Sequence, residues 1–246
     1  MLFDKFENRT IIQGTLEAID PIHIGSSEKN SLNPTEIDMS VLKDHLGNPV
    51  IPGSSIKGVV RSYFESVMRS IYNNDITKVC NVLEDTEVCT KNIDKKKDDY
   101  RKNPNRLAKD IYNQSCEVCR LFGGRELAGK LQFKDCTFKG VKPTYEHRDG
   151  VAIDRDTGTA KNKNKYDFEV VAKGTQFDFY LIAENLDSTQ QNQLNFIVEL
   201  LKGNSVVEGD YLSIGGKTTR GMGRVRLIDT TVTTITAEDL KNKFKL

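Results

Sequence analysis

Two amphipathic helical stretches set among strand-like stretches predict an α+β fold of βαββαβ order, the ferredoxin-like arrangement, with two large loops inserted. Three observations carry this expectation. Ile56, Val59, Val60, Tyr63, Phe64, Val67, Met68 and Ile71 recur at three- and four-residue spacing and so share one helical face. Leu194, Ile197, Val198 and Leu201 do the same within residues 188–202. Strand character marks residues 9–19, 130–138, 175–183 and 223–229, most strongly where Phe177, Phe179 and Leu181 alternate with other side chains. Two helices on one face of such a sheet leave its other face, or its edge loops, free for a partner.

In order along the chain, the first strand places Ile12, Gly14, Leu16 and Ala18 on one side and runs into the loop "DPIHIGSS". Before the opening helix, Pro52 stops any earlier turn and Gly53 permits close backbone approach, while Ser54 or Ser55 can cap the free amides. Residues 73–115 are polar, charged and broken by Pro104, which reads as an insertion. Residues 145–168 are rich in Gly and Lys and read as a long hairpin-like excursion. The second helix has Asp187 or Ser188 as its cap and Gly203 as its stop. No internal repeat suggests a solenoid.

At 246 residues the chain can bury one large core. Its net charge of +1 excludes a protein that binds nucleic acid through overall charge, so any such binding must come from local clusters. Lys and Arg outnumber Asp over residues 91–109, and Lys217, Arg220, Arg224 and Arg226 lie in a stretch without a single acid. No segment approaches the roughly 20 apolar residues of a membrane span, and the first residues, "MLFDKFENRT", have no apolar run, so a soluble cytoplasmic chain is expected. Five cysteines in that setting point to reduced thiols or a metal site. Without tryptophan, any base stacking falls to Tyr, Phe, His or Arg.

The start of the first helix, with Gly53, Ser54, Ser55, Lys57 and Arg61, has the makings of a phosphate seat, since a helix N-terminus carries partial positive charge and free N–H donors. An ordinary capped helix is the plainer alternative. In "GGKTTRGMGRV" a Walker loop is excluded, because Tyr211 stands where its first glycine is needed. What remains is a backbone nest, or else a simple turn, at Gly215 and Gly216, with Lys217, Arg220 and Arg224 supplying charge for a phosphate backbone. Cys80, Cys89, Cys116 and Cys119 offer four thiols, the last two as C-x-x-C. Their place at the end of a polar insertion favours structural zinc over a redox pair, which belongs at a helix start after a core strand. Cys136, in a strand pattern, reads as a packed thiol. None of His23, His45 and His147 has a sequence-local catalytic partner, and Asp38 stands in the polar loop "EKNSLNPTEID" between the first strand and the opening helix, on the side where both candidate phosphate seats can lie, although most loop aspartates are turn formers.

Taken together, "IHIGSS", "IDMSVLKDHLGNPVIPGSSIKGVVRS", "CRLFGG", "LQFKDC" and "IGGKTTRGMGRVRL" closely resemble the RAMP superfamily, and within it the Cas-seven group, the backbone subunits of type III CRISPR–Cas effector complexes. The cysteine-bearing insertion resembles the III-D variant more than III-A. The resemblance implies a single RAMP domain over residues 1–246. Its RNA-recognition-motif-like palm would carry a zinc-stapled insertion at 73–119 and a thumb hairpin at 145–170. It implies a guide-phosphate seat at Gly53, Ser54, Ser55, Lys57 and Arg61, backbone contacts by Lys161, Lys163 and Lys165 on the thumb, and Val151 and Ile153 as wedge residues. It also implies that Asp38 cleaves target RNA opposite each thumb, holding Mg²⁺ or another divalent ion or activating the ribose 2′-OH. Ser40 and Lys43 depart from the proline and arginine common in the group. Implied partners are CRISPR RNA, complementary target RNA, further copies of the chain and the other effector subunits: the large polymerase/cyclase-like subunit, the small subunit and other RAMP proteins. Sequence specificity would reside in the guide. Three other readings stand beside this one: a guide-binding filament subunit that does not cut, a CRISPR RNA-processing endoribonuclease using His23, and a zinc-stapled scaffold without RNA.

Overall fold

The computed structural model describes residues 4–25, 39–93, 100, 102–205 and 207–245, with the side chains of 161–164 left aside. The fold is mixed α+β with antiparallel pairing throughout its two sheets. In chain order the elements are β1 (Asn8–Ala18), β2 (Val50–Ile51), α1 (Gly53–Ile71), α2 (Pro104–Gln114), α3 (Glu117–Phe122), β3 (Leu131–Phe133), β4 (Cys136–Lys139), β5 (Tyr145–Ile153), β6 (Ala160–Val171), β7 (Gln176–Glu184), α4 (Ser188–Lys202), β8 (Val225–Thr236) and α5 (Ala237–Phe244). The main sheet runs β2-β4-β7-β1-β8, with β3 also on β7, while β5 and β6 form a separate hairpin.

Alternation decides which face of the main sheet is buried. Phe177, Phe179, Leu181 and Ala183 of β7 point inward, and so do Ile12 and Leu16 of β1 and Val225 and Leu227 of β8. They pack with Ile56, Val60 and Phe64 of α1 and with Leu194, Ile197 and Leu201 of α4 in one core. Each fully buried Leu, Ile or Phe contributes about 2 kcal/mol. The opposite face carries the cross-strand pairs Arg9 with Glu184 and Thr15 with Asp178. Asp187 closes a capping box with Gln190 at the start of α4, and Gly203, at φ 79°, ends it in the left-handed conformation. No helix of the described residues is long and apolar enough to cross a membrane.

Several expectations need correction. The stretch 130–138 is two short strands, interrupted so that the Asp135 carboxylate accepts a 2.8 Å hydrogen bond from the Gly53 amide. Residue Pro52 occupies the N-cap position of α1, so neither Ser54 nor Ser55 caps it. Ile71 ends the helix outside the core, at 62% exposure. The last strand extends beyond 229 to Thr236, where Thr236 and Asp239 form a second capping box that starts α5.

Gly53 is pressed against the β3–β4 turn so closely that a Cβ there would lie 2.3 Å from the Phe133 carbonyl oxygen. Gly53→Ala is therefore expected to cost about 2 kcal/mol, as overpacking against backbone does. A lowered urea midpoint at unchanged slope would report it.

Candidate nucleic-acid interface and metal centre

The root of the β5–β6 hairpin, the segment that follows residue 38 and the loop that carries His23 converge on one buried residue, Glu169. Its side chain accepts from the Val41 amide at 3.0 Å and pairs with the Lys43 ammonium at 2.8 Å, and is only 5% exposed. Its own amide donates to the Met39 carbonyl at 2.9 Å, and its carbonyl lies 2.7 Å from His23 Nδ1. Lys43 also sits 4.2 Å from the ring centroid of Tyr145, the first residue of the hairpin. The loop leading out of Asp38 is thus fastened to the hairpin by main-chain and side-chain bonds together. Asp38 itself lies outside the described residues.

The glycine-rich loop packs over His23. Gly215, at φ +80°, lies where a Cβ would be 2.3 Å from the His23 carbonyl oxygen, and only glycine fits that approach. The amide of Gly216, expected to turn toward an anion, donates instead to the His23 carbonyl at 2.8 Å, and that of Gly223 donates to the Pro21 carbonyl at 3.0 Å. Lys217, itself left-handed at φ 62°, places its ammonium 4.4 Å from the Phe168 centroid and 5.0 Å from that of Tyr166. Arg220 donates to the Tyr166 hydroxyl, and Arg224 pairs with Asp20. Two cations and two aromatic rings therefore share a patch at the hairpin root. Tyr166 and Phe168 escaped the sequence reading, although their alternation with Val170 was the available signal.

Farther out on the hairpin, Val151 and Ile153 are exposed at 46% and 57%, and Lys165 pairs with Asp149 at 3.0 Å. The side chains of Lys161 and Lys163 fall outside the described residues. The start of α1 faces the β3–β4 turn. Ser54 is exposed, and Lys57 points its ammonium toward the Leu131 carbonyl, its pKa lowered by burial and by the nearby Arg61 charge. The Arg61 guanidinium is turned inward, to Glu65, the Gly123 carbonyl and Cys119 Sγ.

That last contact leads to the cysteines. The sulfurs of Cys80, Cys89, Cys116 and Cys119 all lie within 4.8 Å of one another, with Cys80 3.5 Å from Cys119 and 3.7 Å from Cys116. Four thiolates at about 2.3 Å around one tetrahedral ion have sulfurs just under 4 Å apart, so the donor set fits a metal ion. The C-x-x-C does open a helix, Cys116 capping α3 by accepting from the Cys119 amide at 3.5 Å, but a helix, not a core strand, precedes it. Mutual hydrogen bonding among the four sulfurs pushes the Cys116 thiol down and those of Cys80 and Cys119 up, so the cluster shares its protons as one unit. Cys136 behaves differently: burial, with Asp135 and Asp178 nearby, pushes it up to about 12, as suits a packed thiol.

Comparison with known proteins gives these sites a family. Residues 15–226 match the RAMP superfamily, and the chain belongs to it. Among its relatives are proteins named CRISPR system Cms endoribonuclease Csm3. The one from Methanocaldococcus jannaschii is 25% identical over 91% of this chain and 80% of its own length. That of Enterococcus italicus is 26% identical over 92% and 93%, and that of Mycobacterium tuberculosis 29% over 87% and 84%.

Two outcomes are expected of these sites. Glu169→Ala strands the Val41 amide and the Lys43 ammonium and should cost about 3 kcal/mol of stability, measured by urea denaturation. Metal analysis should find one ion per chain, lost in Cys116→Ser and retained in Cys136→Ser.

Proposed function

We propose that this chain is a guide-RNA-binding backbone subunit of a type III CRISPR effector complex, and that it is the endoribonuclease cutting guide-complementary target RNA at regular intervals. One observation carries the reading: a superfamily match across residues 15–226, with relatives named as endoribonucleases that align over about nine-tenths of the chain. The strand order β4-β7-β1-β8 and the joint core of α1 and α4 support a ferredoxin-like palm, built as a single domain of residues 1–246. On that palm the hairpin of residues 145–170 is the thumb, with Val151 and Ile153 as its wedge, and their exposure supports the assignment. Guide phosphates are held at Gly53, Ser54, Ser55 and Lys57 and at the loop of Gly215, Gly216, Lys217, Arg220 and Arg224, with Lys161, Lys163 and Lys165 on the thumb backbone. Lys217 and Arg220 beside Tyr166 and Phe168 support the second of these seats, since cations and rings together suit single-stranded RNA.

Asp38 is the catalytic carboxylate. A divalent ion such as Mg²⁺ would supply charge stabilisation there, and the thumb would set the target nucleotide in line for attack by its own 2′-OH. The insertion 73–119 is a zinc-stapled subdomain of the III-D type, its ligands Cys80, Cys89, Cys116 and Cys119. Neighbouring copies of the chain, the large and small subunits and other RAMP proteins complete a cytoplasmic complex. The processing-enzyme alternative loses its acid–base group, because His23 is 6% exposed with Nδ1 held at the Glu169 carbonyl.

With guide and partner subunits assembled in Mg²⁺, Asp38→Ala is expected to abolish regularly spaced cuts, by at least about a hundredfold in rate, while target binding is unchanged. Unchanged cutting would leave the chain as a guide-holding subunit that does not cut.

A further inference from the structure

Within the four-thiol centre the sulfurs are not alone. Arg61 reaches it from the third turn of α1, with Nη2 3.7 Å from Cys119 Sγ. The rest of its fork is fixed elsewhere: Nη1 donates to the Gly123 carbonyl at 2.9 Å and Nε to Glu65 at 2.8 Å. Both members of the Arg61–Glu65 pair are largely covered, at 19% and 17% side-chain exposure, and Cys119 is buried at 1%. A guanidinium held at three points has little freedom to turn outward to a ligand in solution.

The chemistry of the centre makes this placement consequential. Four thiolates around a divalent ion leave a net charge of about −2 among buried side chains, and such a charge is stable only with donors or cations directed at the sulfurs. Outer partners of metal ligands typically govern affinity by about ten- to a hundredfold. We infer that Arg61 is the charge partner of the metal centre, a positioning residue that holds Cys119 and the Gly123 turn for the ion, and that this inward role takes the place of a contact with guide phosphate. The inference rests on the metal reading of the cysteine cluster. It also gives α1 a second task, since the helix that packs the palm core then carries the cation for the insertion.

The test uses the purified full chain without RNA, loaded with Zn²⁺ or Co²⁺ and titrated with a competing chelator. Arg61→Gln should bind either ion at least about tenfold more weakly. It should also shift the sulfur-to-cobalt charge-transfer band, which a purely packing role would leave in place. Arg61→Lys, which keeps the charge but not the fork, should fall between Arg61→Gln and the unaltered chain, and it carries the comparison if Arg61→Gln does not fold. Arg69→Gln removes a cation from the same helix and should leave affinity unchanged. Wild-type affinity and an unshifted band in the Arg61 variants would overturn the inference alone. Failure of the unaltered chain to take up any metal would overturn the metal reading and the inference with it.

Discussion

A hairpin that shares no ladder with the main sheet has to be held by something other than strand pairing, and here that anchor is a buried carboxylate. Glu169 sits where β6 enters the body of the protein and accepts from Val41 and Lys43, while Ile22 and Val171 exchange two backbone bonds of 3.0 and 2.8 Å beside it. A buried carboxylate is costly unless each oxygen has a donor, and here an amide and an ammonium provide them. Because those donors lie in the segment directly after Asp38, the same bonds that attach the hairpin also fix that segment's course. His23 meets the Glu169 carbonyl through its ring and the glycine-rich loop through its own carbonyl, so it links that loop to the anchor.

The palm was legible in the sequence because its forces are local and periodic. The faces of α1 and α4, the alternation of β7 and the glycine stop at Gly203 are each visible within a window of a few residues. The gathering of four cysteines was legible as chemistry, since a C-x-x-C presents two sulfurs to one tetrahedral ion and two further thiols complete its ligand set. The pairings that make the sites specific were not. Glu169 finds its partners 126 and 128 residues away, and Asp135 meets Gly53 across 82. Nothing near any of these residues in sequence marks it as a partner of the other.

The inward turn of Arg61 shows why a motif does not fix the role of each of its members. In the run from Gly53 to Arg61, spacing groups the cations on one helix, yet Lys57 and Arg61 differ by about one turn and point to different surroundings. The glycine-rich loop carries the same lesson in its backbone. Two of its amides are spent on holding the loop to His23 and Pro21, so the charge it presents comes from side chains leaning on the rings of Tyr166 and Phe168.

The isolation of the hairpin from the main ladder has a mechanical side. Arg220 and Lys217 brace the hairpin as far out as Tyr166, opposite Gly150, so beyond that pair only about three residues of β5, at about 3.3 Å each, and the turn that follows make an arm about 10 Å long. Over that length a tilt of about ten degrees carries the tip about 2 Å, less than the spacing between stacked bases, without disturbing the Arg220–Tyr166 contact. The hairpin is thus a braced projection whose tip is placed by the palm, so a helical partner must fit the arm more than the arm fits the partner.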